Sequence, residues 1–344
     1  MVLQQTLGMA LPLIQAPMAG VQDSALAVAV SNAGGLGSLP CAMLGPDAMR
    51  AELGKIRAQT DRPYNVNFFC HRPPAPDAMR EALWRQNLAH YYREFDIDPA
   101  TLSTGPGRLP FDAATAELLA EFKPPVLSFH FGLPDESLLA RVRSWGAKIL
   151  SSATTVDEAR WLEARGVDVI IAQGLEAGGH RGMFLSEDLS TQVGTFALLP
   201  QVVRAVRVPV VAAGGISDAA GVRAALALGA AGVQVGTAYL LCPEATTSAV
   251  HRAALQSPAA THTALTNLYT GRPARGILTR LMREQGPMNA MAPAFPLATA
   301  AVAPLRAKAE AAGNGDFSPL WAGQNTSACR PVPAAQLTRE LASP

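Results

Sequence analysis

Short runs of β-branched and other apolar residues recur along the chain, each ending in Gly, Ser or a polar residue, and most are followed by an Ala- and Leu-rich stretch of helical spacing. The runs predict strands at Leu13–Ala16, Leu36–Leu39, Tyr64–Phe69, Val126–Phe131, Lys148–Ser152, Val167–Gln173, Val210–Ala213 and Gly232–Val235. Helices are expected over Asp23–Ala33, Pro134–Trp145, Thr155–Arg165 and Asp218–Leu228, since each begins near Asp, Thr or Pro and several stop near Gly. Strand alternating with helix implies a parallel sheet, and eight strands close one into a (β/α)8 TIM barrel. An open, doubly wound α/β sheet also alternates, but it expects a glycine fingerprint after the first strand. Here that strand leads into Pro17-Met18-Ala19-Gly20, and the glycine-rich turns follow strands seven and eight.

Two connections are longer than the rest, and long βα loops build the top of this fold. Residues 70–110 hold His71-Arg72-Pro73-Pro74, a helical stretch around Met79–Phe95 and the Tyr91-Tyr92 pair, and read as a lid-like helical insertion after strand three. Residues 177–192 are rich in Gly and polar side chains. After the eighth strand, 240–344 continues as an Ala-rich, mainly helical C-terminal extension, so residues 1–344 form one domain without linker or short-period repeat.

At 49% hydrophobic and 16% charged, 344 residues suffice to bury one large core. The 28 Lys+Arg against 27 Asp+Glu leave a charge of +1 with no long run of one sign, which argues against a nucleic-acid partner. The first 13 residues lack a basic segment followed by a long apolar one, and later apolar runs are too short for a bilayer. The expected compartment is therefore the cytoplasm, with no membrane partner. Cys41, Cys70, Cys242 and Cys329 are far apart and form no CxxC pair, so neither a metal site nor a disulfide framework is expected.

The chemistry concentrates at the predicted carboxyl ends of the strands. Gly214 and Gly215 after strand seven, and Gly236 and Thr237 after strand eight, would present backbone N–H groups to a phosphate, with flavin mononucleotide (FMN) as its bearer. Gln173 ends strand six, where its amide can donate to and accept from a flavin ring. His180 follows between Gly178-Gly179 and Gly182, and its near-neutral titration suits abstraction of a proton from a carbon acid. Ala16, Pro17 and Met18 sit at the mouth of strand one and Asn67 near the end of strand three. His130, alternating with Phe129 and Phe131, points either into the barrel or to its rim and is a secondary candidate.

Together, Gln15-Ala16-Pro17-Met18, the stretch Ser128 to Pro134, the stretch Gln173 to Gly182, Ala213-Gly214-Gly215-Ile216 and Gln234-Val235-Gly236-Thr237 resemble the nitronate monooxygenases. The stretch Tyr269 to Gly276 and Leu320-Trp321-Ala322-Gly323-Gln324 resemble the class I branch of that family, so the likeness runs from about residue 13 to residue 324. The resemblance implies non-covalent FMN held by Asn67, Gln173, Gly178, Gly215 and Gln234 to Thr237, including Val235, with His180 as catalytic base. It further implies oxidation of alkyl nitronates, propionate 3-nitronate among them, by O2 to a carbonyl compound and nitrite through a flavin semiquinone. Arg181, Arg272 or Arg275 would hold the substrate anion. The alternative is an FMN-dependent reductase of the same fold that takes hydride from NAD(P)H, such as an enoyl-acyl carrier protein reductase or quinone reductase. Those share the Glu-Ala-Gly-Gly-His run, so that run does not discriminate. A non-catalytic flavin binder is a third reading, with no use for a base beside the ring. Oligomeric state is not legible.

Overall fold

A computed structural model describes residues 2–75, 77–101 and 108–343, so Pro76 and 102–107 of the expected insertion, and both terminal residues, lie outside the described residues. Eight parallel strands form the barrel: Leu13–Gln15, Gly37–Pro40, Tyr64–Phe69, Val126–His130, Lys148–Ala153, Val169–Gln173, Val210–Ala213 and Gly232–Val235. The first pairs with the eighth at Leu13 and Val233. The ring closes where Gln15 N donates to Leu36 O and Leu36 N to Leu13 O, both at 2.9 Å, around the Ile14–Leu36 bridge.

Alternation decides which side chain goes where. Ile14, Leu36, Val126, Leu150, Val169, Ile171 and Val211 point inward and fill the amino-terminal half of the barrel, which the helix Val2–Leu7 plugs with Leu3 and Leu7. Leu13, Val66, Leu127, Ile149, Ile170 and Val233 belong to the larger core under the surrounding helices. Asp23, Thr155 and Asp218 cap their helices by accepting from Ala25 N, Glu158 N and Gly221 N. With the amino-terminal half of the barrel filled, its interior opens at the carboxyl ends of the strands.

The helical insertion and the C-terminal extension pack against each other. Within the insertion, the helices Ala78–Asn87 and Ala89–Glu94 bury Trp84, Tyr91 and Tyr92 in a second core with Leu268, Leu305 and Phe317 of the C-terminal extension. The Tyr91 hydroxyl donates to Glu284 at 2.7 Å and the Tyr92 hydroxyl to Ala301 O at 2.7 Å, so both rings brace the extension and neither lines the cavity. The extension itself contains a hairpin, Thr263–Thr266 and Ala274–Ile277, whose second strand pairs antiparallel with Gly179–His180. The glycine-rich loop after strand six is thus the edge of a three-stranded sheet.

Candidate active site

The carboxyl ends of the strands surround an open cavity, about 1330 Å³ of empty space with the solvent at its mouth included. Into it come Ala16, Pro17 and Met18 from strand one, Asn67 from strand three, His130 from strand four and Gln173 from strand six. Gly178, Gly179 and His180 form one wall, and Gly214, Gly215, Gln234, Gly236 and Thr237 form another. Val235 is buried in the last strand beneath them, where its carbonyl accepts from Ala16 N at 2.8 Å.

His180 is held from both sides. Its ring Nε2 lies 2.9 Å from Thr270 Oγ1, on the turn of the hairpin, and Thr270 Oγ1 lies 3.4 Å from the carbonyl of Arg272. With the hydroxyl donating to that carbonyl, Nε2–H donates to Thr270 and the lone pair of Nδ1 is left basic, with no protein hydrogen bond among the described residues. The backbone carbonyl of His180 accepts from Gln173 Nε2 at 3.0 Å and from His130 Nε2 at 3.1 Å. Since a carbonyl only accepts, His130 carries its proton on Nε2, and its Nδ1 accepts from Ser152 Oγ at 3.1 Å. Burial, then the charges of Arg108, His130 and Arg272, push the pKa of His180 well below the usual 6.5. Burial likewise brings His130 and His71 to about 4. These imidazoles are neutral at pH 7.

The amides are partly engaged within the chain and partly turned to the cavity. Gln173 donates to His180 O and its Oε1 accepts from Gly182 N at 2.7 Å, so the amide first pins the loop that carries His180 and keeps one N–H for the cavity. Asn67 donates to Ser128 Oγ at 2.9 Å and Ser128 O at 3.2 Å, which leaves its carbonyl oxygen as the cavity-side group. Gln22, not anticipated, fixes the first loop: its Oε1 accepts from Met18 N at 2.9 Å and from Gln15 Nε2 at 2.7 Å.

The three arginines expected to hold substrate do not line the cavity. Arg181 is fully buried, donating to Gly174 O at 2.7 Å, Gln173 O at 2.9 Å and Gln192 Oε1 at 3.0 Å. Arg275 donates to Leu175 O at 2.9 Å and Thr263 Oγ1 at 3.3 Å. Arg272 donates to Met183 O and stacks 4.1 Å above the Phe131 ring, its Nε without a partner among the described residues. Carbonyl groups of the chain's own loops outcompeted solvent for all three, which residue type alone could not reveal. Arg108 does line the cavity and was missed, as were Thr270 behind His180 and Trp321, whose ring lies 5.6 Å from that of His180. Thr270 and Trp321 lay in stretches that carried the class I likeness, but Arg108 had no such signal.

Opposite His180, the backbone N–H groups of Gly214, Gly215, Gly236 and Thr237 donate to no protein acceptor among the described residues. Gly214 has φ +118°, and a Cβ there would stand 2.8 Å from Thr195 Oγ1. Gly178 packs on the C-terminal strap, where a Cβ would come within 2.5 Å of Gly323 N. Gly323 N donates in turn to Thr237 Oγ1 at 2.9 Å, leaving that hydroxyl hydrogen for a ligand. Gln234 Oε1 is buried with no partner among the described residues. Free N–H groups at one end, amides between and a neutral base at the other form a donor set that fits a phosphate-bearing planar cofactor such as FMN. Among the described residues there is no cluster of His, Cys, Asp or Glu able to hold a metal, and no helix is long and apolar enough to cross a membrane.

A family model described as nitronate monooxygenase matches residues 2–343. The chain is 43% identical over 343 residues to a nitronate monooxygenase of Pseudomonas aeruginosa, covering 97% of this chain and 96% of that one. It is 43% identical over 337 residues to one of Paraburkholderia phytofirmans, covering 97% and 92%. Among solved structures, nitroalkane oxidase from Streptomyces ansochromogenes is similar at TM-score 0.89 and 40% identity, covering 99% of this chain and 97% of that one. FabK from Thermotoga maritima is similar at TM-score 0.73 and 26% identity, covering 98% and 94%.

Proposed function

This chain belongs to the nitronate monooxygenase family, and we propose that it is an FMN-dependent enzyme that oxidises alkyl nitronates with O2 to a carbonyl compound and nitrite. The observation that carries this reading is the neutral His180, its Nδ1 without a protein partner, fronting a cavity whose far wall offers free N–H groups. Bound FMN would supply electron transfer between the substrate carbanion and O2. Gly214, Gly215, Gly236 and Thr237 would hold its phosphate, while Gln234, Asn67, Gln173 and the loop of Ala16, Pro17 and Met18 would border the rest. Gly178 and Gly179 would let the backbone approach closely, and Val235 would back the site from its strand.

His180 would take the α-proton of a neutral nitroalkane at Nδ1, with Thr270 fixing the tautomer. A substrate supplied as the nitronate has already lost that proton and needs His180 only as part of the wall. His130 would position the His180 backbone through its bond to the His180 carbonyl. A second reading is a flavin reductase using NAD(P)H, since the Glu176-Ala177-Gly178-Gly179-His180 run is common to both kinds of enzyme.

The test is oxygen uptake with nitrite release by the flavin-loaded protein. Uptake with propionate 3-nitronate or ethyl nitronate, and none with NADH, supports the oxidase reading. Uptake driven by NADH without response to either nitronate refutes it.

A further inference from the structure

Resting on that reading, we propose that Arg108 is the specificity residue of the site, selecting nitronates that carry a second anionic group, a carboxylate a few carbons from the reacting carbon. Arg108 is the single Arg or Lys among the described residues lining the cavity, and no Asp or Glu lines it. Its Nη1 is sealed from solvent and has no partner among the described residues. Its other contacts are weak: the guanidinium carbon stands 5.7 Å from the centre of the Phe295 ring, and Nη2 is 3.9 Å from Met43 Sδ. Burial lowers its pKa to about 10, so it stays charged at neutrality. A buried guanidinium without a carboxylate is costly unless an anion arrives to pair with it.

Position identifies which anion. Arg108 follows strand three, whereas the free N–H groups suited to a phosphate follow strands seven and eight, and strands three and seven are four places apart on the eight-membered ring. The cofactor phosphate is therefore not its partner. The Phe295 ring that Arg108 faces is itself 5.4 Å from the His180 ring, so one phenyl ring separates the base from the cation. A substrate with its acidic carbon at His180 would reach Arg108 with a group at the other end of a short chain. Of the remaining cations near the base, Arg181 donates to two backbone carbonyls, and Arg272, whose Nε also has no partner among the described residues, stands on Met183 O and the Phe131 ring; neither lines the cavity. Guanidinium and carboxylate form a bidentate pair, which fixes orientation as well as affinity.

The experiment compares the wild type with R108M and R108K, all flavin-loaded, on propionate 3-nitronate and ethyl nitronate. The ratio of kcat/KM values for the two substrates falls at least about tenfold in R108M, through KM rather than kcat, and R108K recovers part of it. Succinate, an unreactive dicarboxylate, perturbs the visible spectrum of the bound flavin in the wild type and loses that effect in R108M. An unchanged substrate ratio together with unchanged succinate binding overturns the assignment, as does an equal loss on both nitronates. If the wild type oxidises neither nitronate, the proposed function fails, while the succinate titration still reads whether Arg108 receives a carboxylate.

Discussion

His180 shows how a side chain acquires a role from what surrounds it. Burial and the nearby arginines keep it neutral, so the sign of its pH dependence is set. A base with a lowered pKa stays unprotonated to lower pH, and the acid limb of kcat/KM for a neutral nitroalkane should fall below the ordinary histidine value of 6.5. A limb at or above 6.5 would contradict this. H180N should lower turnover of nitroethane by at least about a hundredfold and that of its preformed nitronate much less. Equal losses would assign His180 to binding rather than proton transfer. T270V removes the partner of Nε2 and should reduce kcat for the nitroalkane by about tenfold while leaving the flavin bound, a split that steady-state kinetics and the visible spectrum together resolve.

Among the elements, the connection after strand six carries most of the organisation. Arg181 ties Gln173 and Gly174 to Gln192, Gln173 ties Gly182 and His180, and the hairpin strand Ala274–Ile277 pairs with Gly179–His180. R181M leaves two buried carbonyls without their donor and should lower unfolding stability by about 2–4 kcal/mol, measured by urea titration. No change would mean the loop is held by the hairpin alone. The barrel strands were legible because compact apolar runs and glycine turns mark them locally; Tyr64–Phe69, Val210–Ala213 and Gly232–Val235 lie where the pattern placed them. The hairpin was not, since Ala274-Arg275-Gly276-Ile277 has little strand character and owes its form to Gly179 and Leu320 alongside. The candidate site was legible as residues gathered at strand ends. Whether a polar group faces the cavity or a carbonyl was not, because that depends on partners as far apart as Arg275 and Leu175.

At the scale of the whole molecule, four histidines in and around the cavity are buried uncharged. His71, His130 and His251 are each brought to about 4, mainly by burial, and His180 lies well below 6.5. The unfolded chain takes up protons at these groups below pH 6.5, while the folded one does so only nearer 4. Their contribution to stability is therefore complete above 6.5 and is lost as pH falls toward 4, so the urea midpoint should drop steadily between those values. A midpoint that is flat or rises over that range would contradict the burial of neutral imidazoles. The central claim, that a flavin in this cavity exchanges electrons with nitronates and not with pyridine nucleotides, is tested most directly by anaerobic stopped-flow absorbance. The flavin-loaded protein is mixed with propionate 3-nitronate and, separately, with NADH. Rapid loss of the oxidised flavin spectrum with the nitronate, and none with NADH, is the result expected here. Fast bleaching by NADH with no response to nitronate would contradict it and leave a flavin reductase built on the same barrel.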